Sequence, residues 1–274
     1  MARTPPWHWT EYLVEAAALG AFMLSAAAWA SALYCSSSPL SYYVADEQVR
    51  RLLMGLAMGA TAVAIIYSPL GQRSGAHMNP AVTIAFHRLG KIGTTDAVGY
   101  VIAQFAGGVV GLATAAALFG DCLNDPGVRY VVTQPGPAGA AAALGAEFTM
   151  SFLLMLAVLR MTSTAATMPY TGLVAGGLVC AFIAFESPLS GMSMNPARTV
   201  ASAIVAGEFT GIWIYFSAPV AGMLAAVHVF CRTGRLVACA KLHHPIQGVC
   251  HFGCNSSTAR PKPVPTNDLL AAGR

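Results

Sequence analysis

Six long apolar stretches joined by short polar connections leave this chain few ways to fold. The patterning predicts spans over roughly Glu11–Leu33, Leu52–Leu70, Ala97–Phe119, Ala140–Met161, Tyr170–Phe185 and Gly211–Cys231. About 20 residues at ~1.5 Å rise cross a hydrocarbon core of ~30 Å. In lipid, each backbone N–H and C=O must find its partner inside the segment, so such stretches fold as helices. Charged residues are 9% and apolar ones 56%, against roughly 25% and 45–50% in soluble domains. The expected fold class is therefore an all-α membrane protein with six transmembrane helices. The net charge of +4 sits at helix ends, which argues topology and not nucleic-acid binding. Seven cysteines spread over apolar helices and a basic tail do not look like a secreted disulfide framework. The first stretch is longer than a signal peptide's apolar region and lacks a clear small-residue cleavage site, so it is read as retained.

Within this apolar chain one motif occurs twice. Asn79-Pro80-Ala81 and Asn195-Pro196-Ala197 lie 116 residues apart, each behind a Ser-Gly start at Ser74-Gly75 and Ser190-Gly191. Two short apolar segments, Pro80–Leu89 and Pro196–Ala206, begin at these steps and are too short to span. Pro188 and Gly191 put a break from Ser187 to Met194, suited to chain that enters the membrane and turns back. The reading is an inverted repeat with two re-entrant half-helices.

Asn is a preferred helix N-cap and Pro a preferred first helical residue. A lone Asn-Pro-Ala would mean only a capped helix; its recurrence with matching flanks in both halves points to a pore. Half-helices entering from opposite faces would meet N-terminus to N-terminus, with Ala81 and Ala197 small enough to touch. Their dipoles place roughly half an elementary charge each at that point, which repels cations and hydrated protons. The side-chain amides of Asn79 and Asn195 could donate to a passing oxygen. The preceding loops, Gly75-Ala76-His77-Met78 and Gly191-Met192-Ser193-Met194, would offer carbonyl acceptors.

Lys and Arg set an orientation. With both termini inside, the inner face holds 11 of them and the outer face 4, namely Arg50, Arg51, Arg129 and Arg198. This bias puts both termini in the cytoplasm of an inner or plasma membrane. Residues 1–10 then form a cytoplasmic N-terminus, 11–231 the channel domain and 232–274 a cytoplasmic tail.

The paired signatures resemble those of the aquaporin, or major intrinsic protein, family over about Glu11 to Cys231. Gln104, within Ala103-Gln-Phe-Ala-Gly107, and Glu147 are further matches. The resemblance implies that Glu147 supports a re-entrant loop from within the membrane, with Glu15 its counterpart, although Ala-Ala-Ala-Leu-Gly after Glu15 departs from the family spacing. It also implies a homotetramer with one pore per subunit. Arg198 stands where the family places its selectivity-filter arginine, a rigid donor and full positive charge. Counting back from Asn195 puts filter partners at Met192 and Ile183. Counting back from Asn79 gives Gly59, or Met58 if the loop carries one extra residue. Strict water channels of the family usually have Phe and His there, and glycerol channels Trp with another aromatic; this chain has neither set. Gly59, Ile183 and Met192 would make a less polar filter, with Met192 as its flexible wall.

Thr199, Ala203 and the Tyr215-Phe216 pair resemble water-conducting members. The expectation is a passive channel for water and small neutral solutes in the bilayer, closed to ions and requiring no cofactor. The alternatives are a facilitator of glycerol, ammonia, hydrogen peroxide or a metalloid, and a non-conducting scaffold of the same fold. A secondary transporter would need acids in the substrate path, and only Glu15 and Glu147 are available. No nucleophile–base set suggests an enzyme.

Two features remain. His77 matches the family's loop histidine and either holds the loop or senses acid at the mouth. In the tail, Cys239, His243, Cys250 and Cys254 could form a tetrahedral zinc site on the cytoplasmic side, with Cys239 and His243 at helical i, i+4 spacing. The other reading is reduced or palmitoylated thiols beside the membrane. Beyond Ser256 the composition predicts disorder.

Overall fold

The computed structural model describes residues 7–244 and 250–254, and among these it contains eleven α-helices. In chain order they are α1 (Trp9–Tyr34), α2 (Pro39–Tyr43), α3 (Glu47–Tyr67), α4 (Pro69–Ser74), α5 (Pro80–Arg88) and α6 (Thr94–Phe119). Then follow α7 (Asp121–Asn124), α8 (Gly139–Thr162), α9 (Thr171–Ser190), α10 (Pro196–Ala206) and α11 (Ile212–Cys231). Six of these, α9 together with the short turn before it, are long and apolar enough to cross a membrane. The segment beyond Ser256, expected to be disordered, lies outside the described residues.

The halves repeat: α1, α3, α5 and α6 correspond to α8, α9, α10 and α11. The chief packing partners are α1 with α6, α8 with α11, and α3 with α9 across the centre. Each half-helix leans on the last long helix of the other half, α5 on α11 and α10 on α6. Lipid gives helices no hydrophobic reason to associate, so close backbone approach at small residues must do it. At the α3–α9 crossing, a Cβ on Gly59 would stand 2.6 Å from the Gly176 carbonyl oxygen, and one on Gly55 2.5 Å from that of Cys180. Apolar side chains such as Leu13, Leu56, Ile102, Val110 and Leu173 face outward. Exposed Trp9, Tyr42, Tyr43, Tyr170 and Trp213 sit near helix ends, as suits a headgroup zone. The protein is an integral membrane protein.

Three expectations need correction. Helix α3 begins at Glu47, a turn before the expected Leu52, because the Asp46 side chain caps it by accepting from the Val49 amide at 2.8 Å. The break expected from Ser187 starts later, since α9 continues through Pro188 to Ser190. Proline frees the carbonyl four residues back; here that is Ala184, and the Gln48 amide donates to it at 2.9 Å. A disulfide, unsignalled by cysteine spacing, joins Cys35 at the end of α1 to Cys122 in α7, 87 residues away. It lies at the opposite end of the bundle from the tail.

Candidate functional site

Each half-helix begins in the same way. The Asn79 side-chain oxygen accepts from the Ala81 amide at 2.8 Å, and that of Asn195 accepts from Ala197 at 3.0 Å and Arg198 at 3.3 Å. Pro80 and Pro196 occupy the next position, where a missing N–H loses nothing. The two caps are then tied across the molecule: Asn79 Nδ2 donates to the Met194 carbonyl and Asn195 Nδ2 to the Met78 carbonyl, both at 2.7 Å. One hydrogen of each amide is thereby used and the second remains. Both asparagines line the central cavity. Ala81 and Ala197 are buried where the half-helices meet.

The loops before them carry a conformation that sequence reading missed. Gly75, Ala76 and Met78 have φ of 98°, 55° and 49°; Gly191, Met192 and Met194 have 76°, 48° and 53°. Left-handed backbone at a side-chain-bearing residue costs about 1–3 kcal/mol and persists only when its surroundings hold it. Two buried carboxylates do so. Glu15 accepts from Ser74 Oγ (2.7 Å), His77 N (3.0 Å), Met78 N (2.7 Å) and Gln104 Nε2 (2.8 Å). Glu147 accepts from Ser190 Oγ (2.7 Å), Ser193 N (2.7 Å) and Met194 N (2.6 Å). Each also has a tyrosine clamp beside it: Tyr100 donates to the Ser74 carbonyl and Tyr215 to the Ser190 carbonyl, both at 2.6 Å. The signal was present, since these tyrosines lie 115 residues apart, close to the motif spacing.

A cavity of about 340 Å³ runs between the halves. Its wall consists of helical rows with a step of about four: Phe22, Ala26, Ala30 and Tyr34 on α1; Met54, Met58, Ala62 and Ile66 on α3; Ala175, Val179, Ile183 and Ser187 on α9. That step keeps one face of each helix turned inward. The α1 row, counted from Leu19 to Tyr34, extends about 22 Å at 1.5 Å per residue. Ile183, Met192 and Arg198 line this cavity. Gly59 does not: it lies one residue, about 100° of helix turn, round from Met58 and is used up in the contact with α9. Met58, with Met54 a turn earlier, takes the place expected of Gly59. Among the described residues, the buried Arg198 Nη1 has no hydrogen-bond partner. One end of the cavity is formed by Tyr34, Gly127, Val128, Val131 and Val132, a connection no motif marked.

Thr199, Tyr215 and Phe216 have other work. Thr199 Oγ1 bonds Thr133 Oγ1 at 2.8 Å and Ser193 Oγ at 2.6 Å, and Phe216 stacks on Phe105. Glu186, which sequence reading placed outside the spans, lies within α9 with both its carboxyl oxygens buried. It is a third intramembrane acid.

At the other end the tail folds back. His77 Nδ1 meets Thr83 Oγ1 at 3.0 Å and Nε2 meets the Ala240 carbonyl at 2.9 Å, so Nε2 carries the hydrogen. Leu242 lines the cavity, and its amide donates to the Gly75 carbonyl at 3.2 Å. Cys239, His244, Cys250 and Cys254 place their ligand atoms within 4.8 Å of one another, a set that could coordinate a metal. The expected ligand His243 is replaced by His244. Residues 239–244 are not helical, so the i, i+4 argument fails, and His243 turns away to pack edge-on against Tyr67 at 4.9 Å. Cys239 Sγ and Cys250 Sγ share a hydrogen bond at 3.5 Å, which holds Cys250 well below the ordinary thiol range and pushes Cys239 up.

Known proteins share this arrangement. The family model described as "Major intrinsic protein" matches residues 6–230. Aquaporin NIP1-3 of Oryza sativa subsp. japonica is 37% identical over 177 residues, covering 64% of this chain and 59% of that protein. Aquaporin NIP1-1 of Arabidopsis thaliana is 38% identical over 183 residues, covering 65% and 62%. The chain thus spans about three fifths of the length of these relatives. Among solved structures, the aquaglyceroporin from Plasmodium falciparum superposes with a TM-score of 0.65 at 19% identity, covering 82% of this chain and 96% of that one, a likeness of fold. On the matched span of 6–230, and on the paired half-helices within it, the chain belongs to the major intrinsic protein family, whose members are membrane channels and not enzymes.

Proposed function

We propose that the chain is a passive channel for small neutral solutes, water among them, and not a strict water pore. The observation that carries this reading is the wall around Arg198. The Arg198 side chain lines the cavity, while Met54, Met58, Ile183 and Met192 in the same cavity are apolar and largely unbranched. Such a wall adapts in width and offers a solute few competing polar contacts. The residues that favoured water alone weigh less, because Thr199 and Tyr215 spend their hydroxyls on the scaffold. The solved structure of similar fold is named an aquaglyceroporin, which points the same way. The guanidinium and two converging helix N-termini disfavour cations.

The proposal includes a homotetramer in a cell membrane with both termini cytoplasmic. The 11-to-4 division of Lys and Arg supports that orientation. So does the disulfide at the end opposite the tail thiols, since disulfides persist on the oxidising side.

The test is stopped-flow light scattering on proteoliposomes under an impermeant osmolyte and then under glycerol. Fast shrinkage followed by fast glycerol re-swelling, both altered by Arg198→Ala, is expected. Fast shrinkage without re-swelling would return the strict water reading. Liposome-like rates in both would favour a non-conducting scaffold.

A further inference from the structure

Residues 237–244 and 250–254 carry two kinds of side chain, and the two alternate. Cys239, His244, Cys250 and Cys254 gather into one cluster. Between them, Ala240, Leu242, His251 and Phe252 touch the pore mouth. The Ala240 carbonyl holds the His77 ring and Leu242 enters the cavity. His251 Nε2 meets Tyr100 Oη at 3.1 Å, and Phe252 stacks over His77 at 5.9 Å between centroids. The Gly253 amide donates to the Lys91 carbonyl at 3.1 Å.

The cluster has the form of a closed zinc site. Zinc–sulfur bonds of about 2.3 Å and zinc–nitrogen bonds of about 2.0 Å at tetrahedral angles require ligand atoms about 3.5–3.8 Å apart. The structure places Cys239 Sγ and Cys250 Sγ 3.5 Å apart, and Cys254 Sγ 3.3 Å from His244 Nε2. Three sulfurs and one imidazole suit zinc over the harder divalent ions. Four protein ligands leave no open position, which marks a structural site. So short a segment has no core of its own to fix its shape, and a metal can supply that ordering energy.

We propose that zinc bound by Cys239, His244, Cys250 and Cys254 holds the tail as a plug over the mouth at His77, and that loss of the metal opens the channel. The coupling is mechanical. The ligands and the plugging residues are neighbours in the chain, so whatever orders one set orders the other. The Leu242 amide also occupies the Gly75 carbonyl, one of the acceptors that would otherwise serve a permeant. This inference rests on the channel reading above.

The experiment uses the full chain in proteoliposomes, loaded with zinc or stripped by a chelator. Metal content is measured by mass spectrometry and permeability by stopped flow. One zinc per chain is expected, lost in Cys250→Ser, with permeability rising several-fold on stripping. Leu242→Ala keeps all four ligands; it should retain zinc yet conduct several-fold faster when loaded. Protein that takes up no zinc overturns the site. A permeability above the liposome background that is equal in loaded, stripped and Leu242→Ala samples overturns the plug. Background rates in every state, including stripped Leu242→Ala, would sink the channel reading and the plug with it, and the zinc titration separates that failure from loss of the site.

Discussion

Replacing Glu147 by Gln tests how the pore loop is held. The carboxylate accepts three hydrogen bonds, from Ser190 Oγ, Ser193 N and Met194 N, and donates none. An amide keeps one oxygen, which can still serve Ser190 and Ser193. Its NH2 then faces the Met194 N–H, donor against donor. The lost charge-assisted bond costs about 1.5–3 kcal/mol, and the stranded buried N–H about 1–3 kcal/mol more. Nothing else compensates locally, because Met192 and Met194 already hold left-handed backbone. A loss of even ~3 kcal/mol shifts the loop away from its ordered form by about a hundredfold. Glu147→Gln should therefore lower the melting temperature in detergent and remove most of the permeability per reconstituted copy. Wild-type melting together with wild-type flux would refute the claim that this carboxylate holds the loop. Glu15→Gln is the internal comparison. There Gln104 can rotate and present its Oε1, which has no partner, to the new NH2, so part of the loss should be recovered.

Two further expectations follow from the packing. Gly59→Ala should destabilise the α3–α9 contact by about 1–3 kcal/mol, the usual cost of overpacking, because its Cβ would press on the Gly176 carbonyl. Met58→Ala should instead raise the ratio of glycerol to water flux; the reverse pattern, with the ratio moved by Gly59→Ala alone, would restore Gly59 to the wall. Asp125 accepts from the Ser36 hydroxyl at 2.6 Å, the Ser36 amide at 3.0 Å and the Gly127 amide at 2.8 Å. The Ser36 hydroxyl, then the Gly127 and Ser36 amides, hold its carboxyl below the usual aspartate range. A depressed carboxyl stabilises above its unfolded value and loses that contribution as pH falls through the folded one. The tie between α1 and the connection lining the cavity should thus persist at neutral pH and loosen only in strong acid. Limited proteolysis of residues 125–135 should be faster in Asp125→Asn than in wild type at pH 7; equal rates would contradict it.

Much of the fold was legible because the bilayer simplifies the code. Apolar length alone marks the spans, and Asn followed by Pro marks a helix start wherever it occurs, so the two half-helices could be read from local chemistry. Helix ends were less legible where a distant group intervened: Gln48 satisfies the carbonyl that Pro188 frees, and nothing near Pro188 announces it. The wall was legible on α9, where Ile183 and Pro188 share one unbroken helix. On α3 an alignment offset of one residue, turning the side chain by about 100°, separated Gly59 from Met58. The tail's cysteines were visible as ligands, but choosing between His243 and His244 needed the backbone path.

By itself, then, the sequence determined an all-helical membrane protein with a duplicated core, capped half-helices and an arginine beside the second cap. These depend on apolar length and on contacts within a few residues. Only the tertiary structure decided which donors of each loop its carboxylate holds, which methionines face the cavity, and that the tail closes over His77. Each of those depends on groups 43 to 163 residues apart, and no local period or propensity carries information across such distances. It is the packing of small residues between helices that sets their relative rotation, and with it what the pore presents to a solute.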